Sequence, residues 1–225
     1  MSRRPVMVFP GKVWSGSAEH AFADAFRALG WGVQDISISS FTGASGGSMR
    51  AKLGYRFHRP AALAAFRAEI LEQCRLLHPD WLFVVKGPGL DVATLRAVRA
   101  MGIRTANFYP DLNFEHMLLD AETLGEYDLF TSSKSFHIPW YRERYPGVPA
   151  HHIPHGFAPM VHRPMIAPMT EGDYRCDVLY AGTRSPHKQR LLEELLALMP
   201  GLDLLVTGSF WDQTPKDSPL WAHFD

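Results

Sequence analysis

The chain has 225 residues, 46% hydrophobic and 20% charged, with 23 basic residues balancing 23 acidic ones. That length accommodates one large domain, or one domain with part of another. Zero net charge argues against a broad nucleic-acid or anionic-membrane surface, and no apolar run reaches bilayer-spanning length.

The basic start is followed by an apolar run too short for a signal peptide, so a first strand is expected there and a cytoplasmic location for the protein. Residues 6–9 read as that strand and 10–16 as a glycine loop. Ser17 opens a helix with Ala18, Phe22, Phe26 and Leu29 on one face, ending near Gly30. Residues 33–38 form a second strand. Residues 41–58 are polar, basic and glycine-bearing and give no assignment; 43–48 within them read as a flexible loop. A helix over 60–77 aligns Leu63, Phe66, Ile70, Cys74 and Leu77. Trp81–Val85 is an unbroken apolar run, as in a strand covered on both faces. Asp91 caps a helix through Met101, closed by Gly102. Residues 105–109 and 129–132 are further strands, 136–145 a helix interrupted or bent around Pro139, and 151–154 a last short strand. The alternation predicts an α/β fold with a parallel, doubly wound sheet. Cys74 and Cys176 fall on a helix stripe and a strand start, as buried thiols in a reducing cytosol rather than a disulfide.

Pro154, Pro159, Pro164 and Pro168, with Gly156 and Gly172, mark a linker over 161–172. It separates a domain of residues 1–160 from the beginning of a second at 173–225. The second part holds a strand (176–181), a helix (186–199) with leucines at 191, 192, 195 and 198, and a strand (202–207). Its tail from Gly208 shows no periodicity. Two strands and one helix cannot cover both faces of a sheet. The expectation is therefore the front part of a longer protein, with self-association through the uncovered surface.

The richest chemistry lies in residues 177–188. Gly182 breaks the strand, and Ser185 caps a helix whose first residue is Pro186. A strand, a glycine turn and a helix start leave backbone N–H groups aimed at one spot that attracts phosphate. Arg184 and Lys188 add positive charge. A solvated lysine is the competing reading of Lys188. Three positions elsewhere carry candidate roles. Gly11 lies in a loop that matches neither G-x-G-x-x-G nor a P-loop, so it is a turn or a ligand loop. Lys86 follows the third strand at the sheet edge where open α/β folds bind ligands, as a ligand contact or a solvated strand end. Asp111 follows the fourth strand at the same edge; it serves as a base or acceptor of sugar-hydroxyl hydrogen bonds, or caps the next helix. His151, His152 and His155 are close, but a strand puts the first two on opposite faces. With no H-E-x-x-H and no cysteine–histidine set, no metal site is expected, and the eleven histidines read as scattered surface and loop residues. No G-x-S-x-G elbow supports hydrolysis.

Several segments in order resemble one family: Trp81-Leu-Phe-Val-Val-Lys-Gly-Pro, Thr94-Leu-Arg-Ala-Val-Arg-Ala-Met-Gly, Asn107-Phe-Tyr-Pro-Asp-Leu, Tyr127-Asp-Leu-Phe-Thr-Ser-Ser-Lys, and His152-Ile-Pro-His-Gly-Phe with His162-Arg-Pro. They look like the spore-maturation CgeB-like glycosyltransferases, relatives of the GT-B class. The likeness runs from residue 80 to the C-terminus and more loosely over the N-terminal third. The segment 181–188 is similar to the Gly-x-x-Ser-Pro-x-Lys turn of retaining GT-B enzymes. The resemblance implies two Rossmann-like domains, an acceptor-side one first and a nucleotide-sugar-side one second. It implies Lys188 on the donor diphosphate with Gly182, Thr183 and Arg184 in the same turn. The family arginine falls on Thr183, with Arg184 one place late. Beside the resemblance, Asp111 is taken as the catalytic residue and Gly11, Lys86 and His155 as acceptor-side residues, and no cofactor is expected beyond the nucleotide-sugar substrate. The family's acidic donor-site residues would lie beyond residue 225, so little turnover is expected of these 225 residues alone. Two other readings stand beside it: a non-catalytic module that binds a glycan or partner, and a nucleotide-dependent sugar epimerase.

Overall fold

The computed structural model describes residues 3–14, 16–42, 49–114, 119–159, 161–163 and 170–224, with the backbone alone for 49–56. The chain forms two compact units, Met1–His162 and Arg163–Asp225. The expected loop at 43–48 lies outside the described residues.

The first unit alternates β1 (Val6–Gly11), α1 (Ala18–Ala28), β2 (Gly32–Ser37), the single turn α2 (Ser39–Thr42), α3 (Met49–Leu77), β3 (Trp81–Val85), α4 (Val92–Ala100), β4 (Arg104–Tyr109), a 3-10 segment (Ala121–Glu126), β5 (Leu129–Ser132), α5 (His137–Arg144) and β6 (Ala150–His152). The six strands are all parallel, in the order β2-β1-β3-β4-β5-β6. Strand order reverses between β1 and β3. Those two strands are registered only at Met7–Trp81 and Val8–Leu82, whereas β1 and β2 share six pairs. Such a switch point is where open α/β sheets leave a crevice beyond the strand C-termini.

Side-chain alternation along the strands explains the double covering. Val8, Leu82 and Val84 enter one core with Phe66, Ile70 and Leu95 of α3 and α4. Phe9, Val85 and Phe108 enter another with Ala23 of α1. A third cluster joins Tyr109, Phe130 and Tyr141, with Phe130 stacked on Tyr141 at 3.8 Å.

The helix starts follow their caps. Ser17 Oγ accepts from the His20 N–H, and Asp91 Oδ1 accepts from Thr94 N (2.8 Å) and Thr94 Oγ1 (2.6 Å). Asp91 Oδ2 also pairs with Arg67 at 2.8 Å. Burial opposes the charge on Asp91, but the Thr94 hydrogen bonds and Arg67 outweigh it and hold the carboxyl below its usual range. A carboxyl depressed by folding stabilises the protein above its unfolded pKa of about 4, and this contribution fades as pH falls through the folded value. Asp91→Ala should therefore cost about 1 kcal/mol at pH 7, with the gap to the parent narrowing below about pH 4. Urea denaturation at pH 7 and at pH 3 checks both.

Several boundaries differ from the sequence reading. The third helix begins at Met49, so it takes in most of the unassigned stretch, and Pro60 sits inside it. A proline reads as a helix start because it lacks the N–H that would bond four residues back; here the helix absorbs that loss. Helix α5 is continuous through Pro139, which falls in the first turn, where no intrahelical donor is needed. Leu29 and Leu77 are exposed rather than on a buried stripe. Strand β1 runs two residues further than expected, and β6 is shorter.

The second unit holds β7 (Val178–Ala181), α6 (Pro186–Leu198) and β8 (Leu204–Thr207), with β7 and β8 parallel. Its aperiodic tail forms two 3-10 segments, Trp211–Gln213 and Pro219–His223, and completes the core. Trp211 and Leu220 are buried with Leu192, Leu204 and Val206. The leucine stripe is narrower than expected: Leu192 is buried, while Leu191 and Leu198 are 55% and 82% exposed. No helix among the described residues is long and apolar enough to cross a membrane.

Candidate functional site

The C-terminal edge of the large sheet brings together two of the residues singled out by the sequence. Lys86 leaves β3 and Asp111 follows β4, and their ammonium and carboxylate lie 2.7 Å apart, partly exposed. Backbone geometry aims the lysine. Lys86 adopts φ 65°, a left-handed conformation that costs a residue with a Cβ about 1–2 kcal/mol. Both sides of its peptide are clamped: Lys86 N donates to Phe108 O at 2.9 Å, and Asn107 Nδ2 donates to Lys86 O at 3.1 Å. Gly87 follows with φ 88°, and a Cβ there would sit 2.5 Å from the Tyr127 hydroxyl oxygen. The turn at 86–89 is thus tied to β4.

Lys86 is neither fully solvated nor unpartnered, and the Asp111 carboxylate faces Lys86. Tyr109 lies beside this carboxylate; burial, and then the nearby Asp111 charge, push its phenol up to about 12.

Gly11 is the last residue of β1 rather than part of a loop, and its carbonyl accepts from Ile38 N at 2.9 Å. A Cβ at Gly11 would touch Glu19 Cγ at 3.0 Å. His155 is exposed and stands edge-on to the Phe108 ring at 6.4 Å. Both flank the same sheet edge, and neither has a described contact with the Lys86–Asp111 pair. Asn107 escaped the sequence reading. Its signal was there: a polar residue inside an apolar, doubly covered strand is a reason to look for a hydrogen-bonding duty. Not all histidines are surface residues either, since His137 is buried at 3% exposure.

In the second unit the turn after β7 is well ordered by internal bonds. Gly182 N donates to Thr207 O at 2.9 Å, Arg184 N to Ser209 O at 3.0 Å, and Trp211 Nε1 to Gly182 O at 2.7 Å. Ser185 caps α6 through Lys188 N, with Pro186 in the first position. Two of the expected phosphate donors, Gly182 N and Arg184 N, therefore already serve β8 and the residues after it. The N–H groups of Thr183 and His187 bond to no carbonyl or side chain among the described residues. Arg184 directs Nε and Nη2 at Gln189 Oε1 (2.9 and 2.7 Å), and Lys188 Nζ donates to Thr183 O at 3.1 Å. Lys188 lies in the first turn of α6, near the positive end of the helix dipole, where a cation is disfavoured without an anion beside it.

Among the described residues no group of three or more His, Cys, Asp or Glu is arranged to hold a metal ion.

No family model matches the sequence, and no curated protein matches it. Solved structures do resemble its fold. Glycyrrhiza uralensis UGT73P12, complexed with glycyrrhetinic acid 3-O-monoglucuronide, is similar with a TM-score of 0.54 at 12% identity, over 91% of this chain and 62% of that one. The S. aureus MnaA–UDP co-structure is similar with a TM-score of 0.51 at 8% identity, over 91% of this chain and 61% of that one. The chain thus spans about three-fifths of the length of these structures. Identities this low speak for architecture alone, and the architecture is an α/β, Rossmann-type, GT-B-like fold with a six-stranded parallel sheet in its first unit.

Proposed function

We propose that the chain is the acceptor-side domain and part of the donor-side domain of a GT-B glycosyltransferase of the CgeB-like kind, moving a sugar from a nucleotide-sugar to an acceptor hydroxyl. The observation that carries this reading is the Lys86–Asp111 pair, held at the C-terminal edge of the sheet in a GT-B-like fold. In the reaction, Asp111 takes the proton of the acceptor hydroxyl as that oxygen bonds to the anomeric carbon and the carbon–diphosphate bond breaks. Lys86 holds the carboxylate in place. The diphosphate leaves with the negative charge; in the second unit, taken by itself, the Thr183 and His187 N–H groups and the Lys188 ammonium form a candidate site for such an anion. Lys188 exchanges its contact with the Thr183 carbonyl for the phosphate. Beyond donor and acceptor, this mechanism needs no cofactor.

Isothermal titration with UDP, the nucleotide present in one of the similar structures, tests the donor half. In the full translation product of the reading frame, Lys188→Ala should weaken binding by about 1–3 kcal/mol, the scale of a charge-assisted hydrogen bond. Unchanged affinity in a folded variant would leave Lys188 an ordinary surface residue. The reading frame after Asp225 is the second test. Further βα units with acidic residues support the enzyme. A stop codon supports the non-catalytic binding module, which the internal pairing of Gly182 N and Arg184 N also favours.

A further inference from the structure

Asp111 sits in a segment with no regular structure, yet the backbone on both sides of it is fastened. Pro110 O accepts from Ser133 Oγ at 3.1 Å, Leu112 O from His137 Nε2 at 3.0 Å, and Asn113 O from the Tyr109 hydroxyl at 2.8 Å. The His137 bond differs from the other two because it belongs to a buried relay. His137 Nδ1 lies 2.8 Å from Ser132 Oγ, and that oxygen accepts from Lys134 N at 3.0 Å. A carbonyl has no hydrogen to give, so Nε2 must carry one. The Ser132 hydroxyl lies within donating distance of Tyr109 O and of Nδ1 alike; turned to Nδ1, its single hydrogen satisfies the ring. Tyr109 O, 2.8 Å from the same hydroxyl, keeps Ser133 N as a donor at 3.3 Å. Every group is satisfied with a neutral imidazole. Burial lowers the imidazole pKa, in the same sense as the nearby Lys134 charge and against the Leu112 carbonyl. The ring has little room to turn, with Phe114 at 4.6 Å, Phe136 at 4.7 Å and Tyr109 at 6.1 Å.

We propose that His137 is the positioning residue of Asp111: as the neutral Nε2–H tautomer it grips the Leu112 carbonyl and so keeps the Asp111 carboxylate on Lys86. The clasp rests on geometry, and only the catalytic meaning of Asp111 rests on the transferase reading.

The test is a double-mutant cycle of Lys86→Met and Asp111→Asn by chemical denaturation, repeated with His137→Phe and with His137→Gln. Phenylalanine keeps the ring packing without a donor; glutamine keeps a donor for Leu112 O. The parent should show a coupling of about 2- to 5-fold in the folding constant, the range of a partly exposed ion pair. The coupling should vanish in the phenylalanine background and persist in the glutamine one. A general loss of stability cancels in the cycle, so it cannot imitate this result. Coupling that survives His137→Phe, coupling lost equally in both backgrounds, or none in the parent would each overturn the proposal. Nitrogen-15 NMR of the parent gives a check that needs no variant: Nε2 protonated and Nδ1 bare is the expected pattern, and the opposite tautomer overturns it. Failure to bind UDP or to transfer sugar would count against the transferase reading and leave these measurements untouched.

Discussion

Gly208→Ala should unfold the second unit while leaving the first intact. Gly208 follows β8 with φ 130°, a conformation that side chains rarely adopt. A Cβ there would run into the Gly182 carbonyl oxygen and lie 2.7 Å from its carbon and 3.1 Å from its nitrogen. All three atoms are backbone, so no rotamer change relieves the clash. Moving Gly182 breaks the bond from its N–H to Thr207 O and the one its carbonyl accepts from Trp211. The first joins the ends of β7 and β8; the second anchors the tail that closes the core. Losses above about 4 kcal/mol come from few mechanisms, and a backbone clash at such a φ is among them. A unit of some 60 residues has only about 3–9 kcal/mol to lose. Two-dimensional NMR of the variant should show the amides of residues 178–207 collapsed into the unfolded region and those of β1–β6 in place. A native-like spectrum for the second unit would contradict the packing described for this turn.

Asp111→Asn should lower sugar transfer by about 10²–10⁴-fold, the contribution of a positioned general base. Asparagine keeps the shape and removes both the charge and the proton acceptor. Its stability effect should stay within about 1 kcal/mol, because the pair with Lys86 is partly exposed and such pairs contribute little. A large rate loss without a stability loss separates chemistry from folding. The measurement is single-turnover transfer with a panel of nucleotide-sugars, on the full translation product of the reading frame. A rate near the parental one would remove Asp111 as the base.

How far these features were legible from residues alone depends on the distance over which each is decided. Trp81–Val85 matches its strand residue for residue, since a doubly covered strand is written as a continuous apolar run; Leu129–Ser132 matches too, although only its first two residues are apolar. The caps Ser17, Asp91 and Ser185 were equally plain, because a cap acts within three residues of itself. The start of α3 was not legible. A mid-helix proline and a polar, glycine-bearing lead-in both argue locally against a helix, and only the structure shows them overridden. Nor was the role of the tail, where Trp211 and Leu220 join the core from segments that follow no period. At the candidate site, Lys86 and Asp111 each stood out alone. Their meeting depends on β3 and β4 lying side by side, which brings two residues 25 positions apart in the chain to one edge. His137 was passed over because a histidine's burial is a property of what surrounds it.

The left-handed backbone at Lys86 has a consequence for anyone redesigning this protein. Glycine at this position would escape a steric penalty of about 1–2 kcal/mol, would give back about 0.5–1 kcal/mol in unfolded-chain freedom, and would lose an ion pair of at most about 1 kcal/mol. These quantities nearly cancel, so folding is almost indifferent to the choice. A stability-guided consensus or repacking scheme would accept Gly-Gly at 86–87 as harmless and report a sound molecule. The ammonium at the sheet edge would be gone. Position 86 is therefore one where thermal melting gives no warning, and a variant library ought to be sorted there by ligand capture rather than by heat.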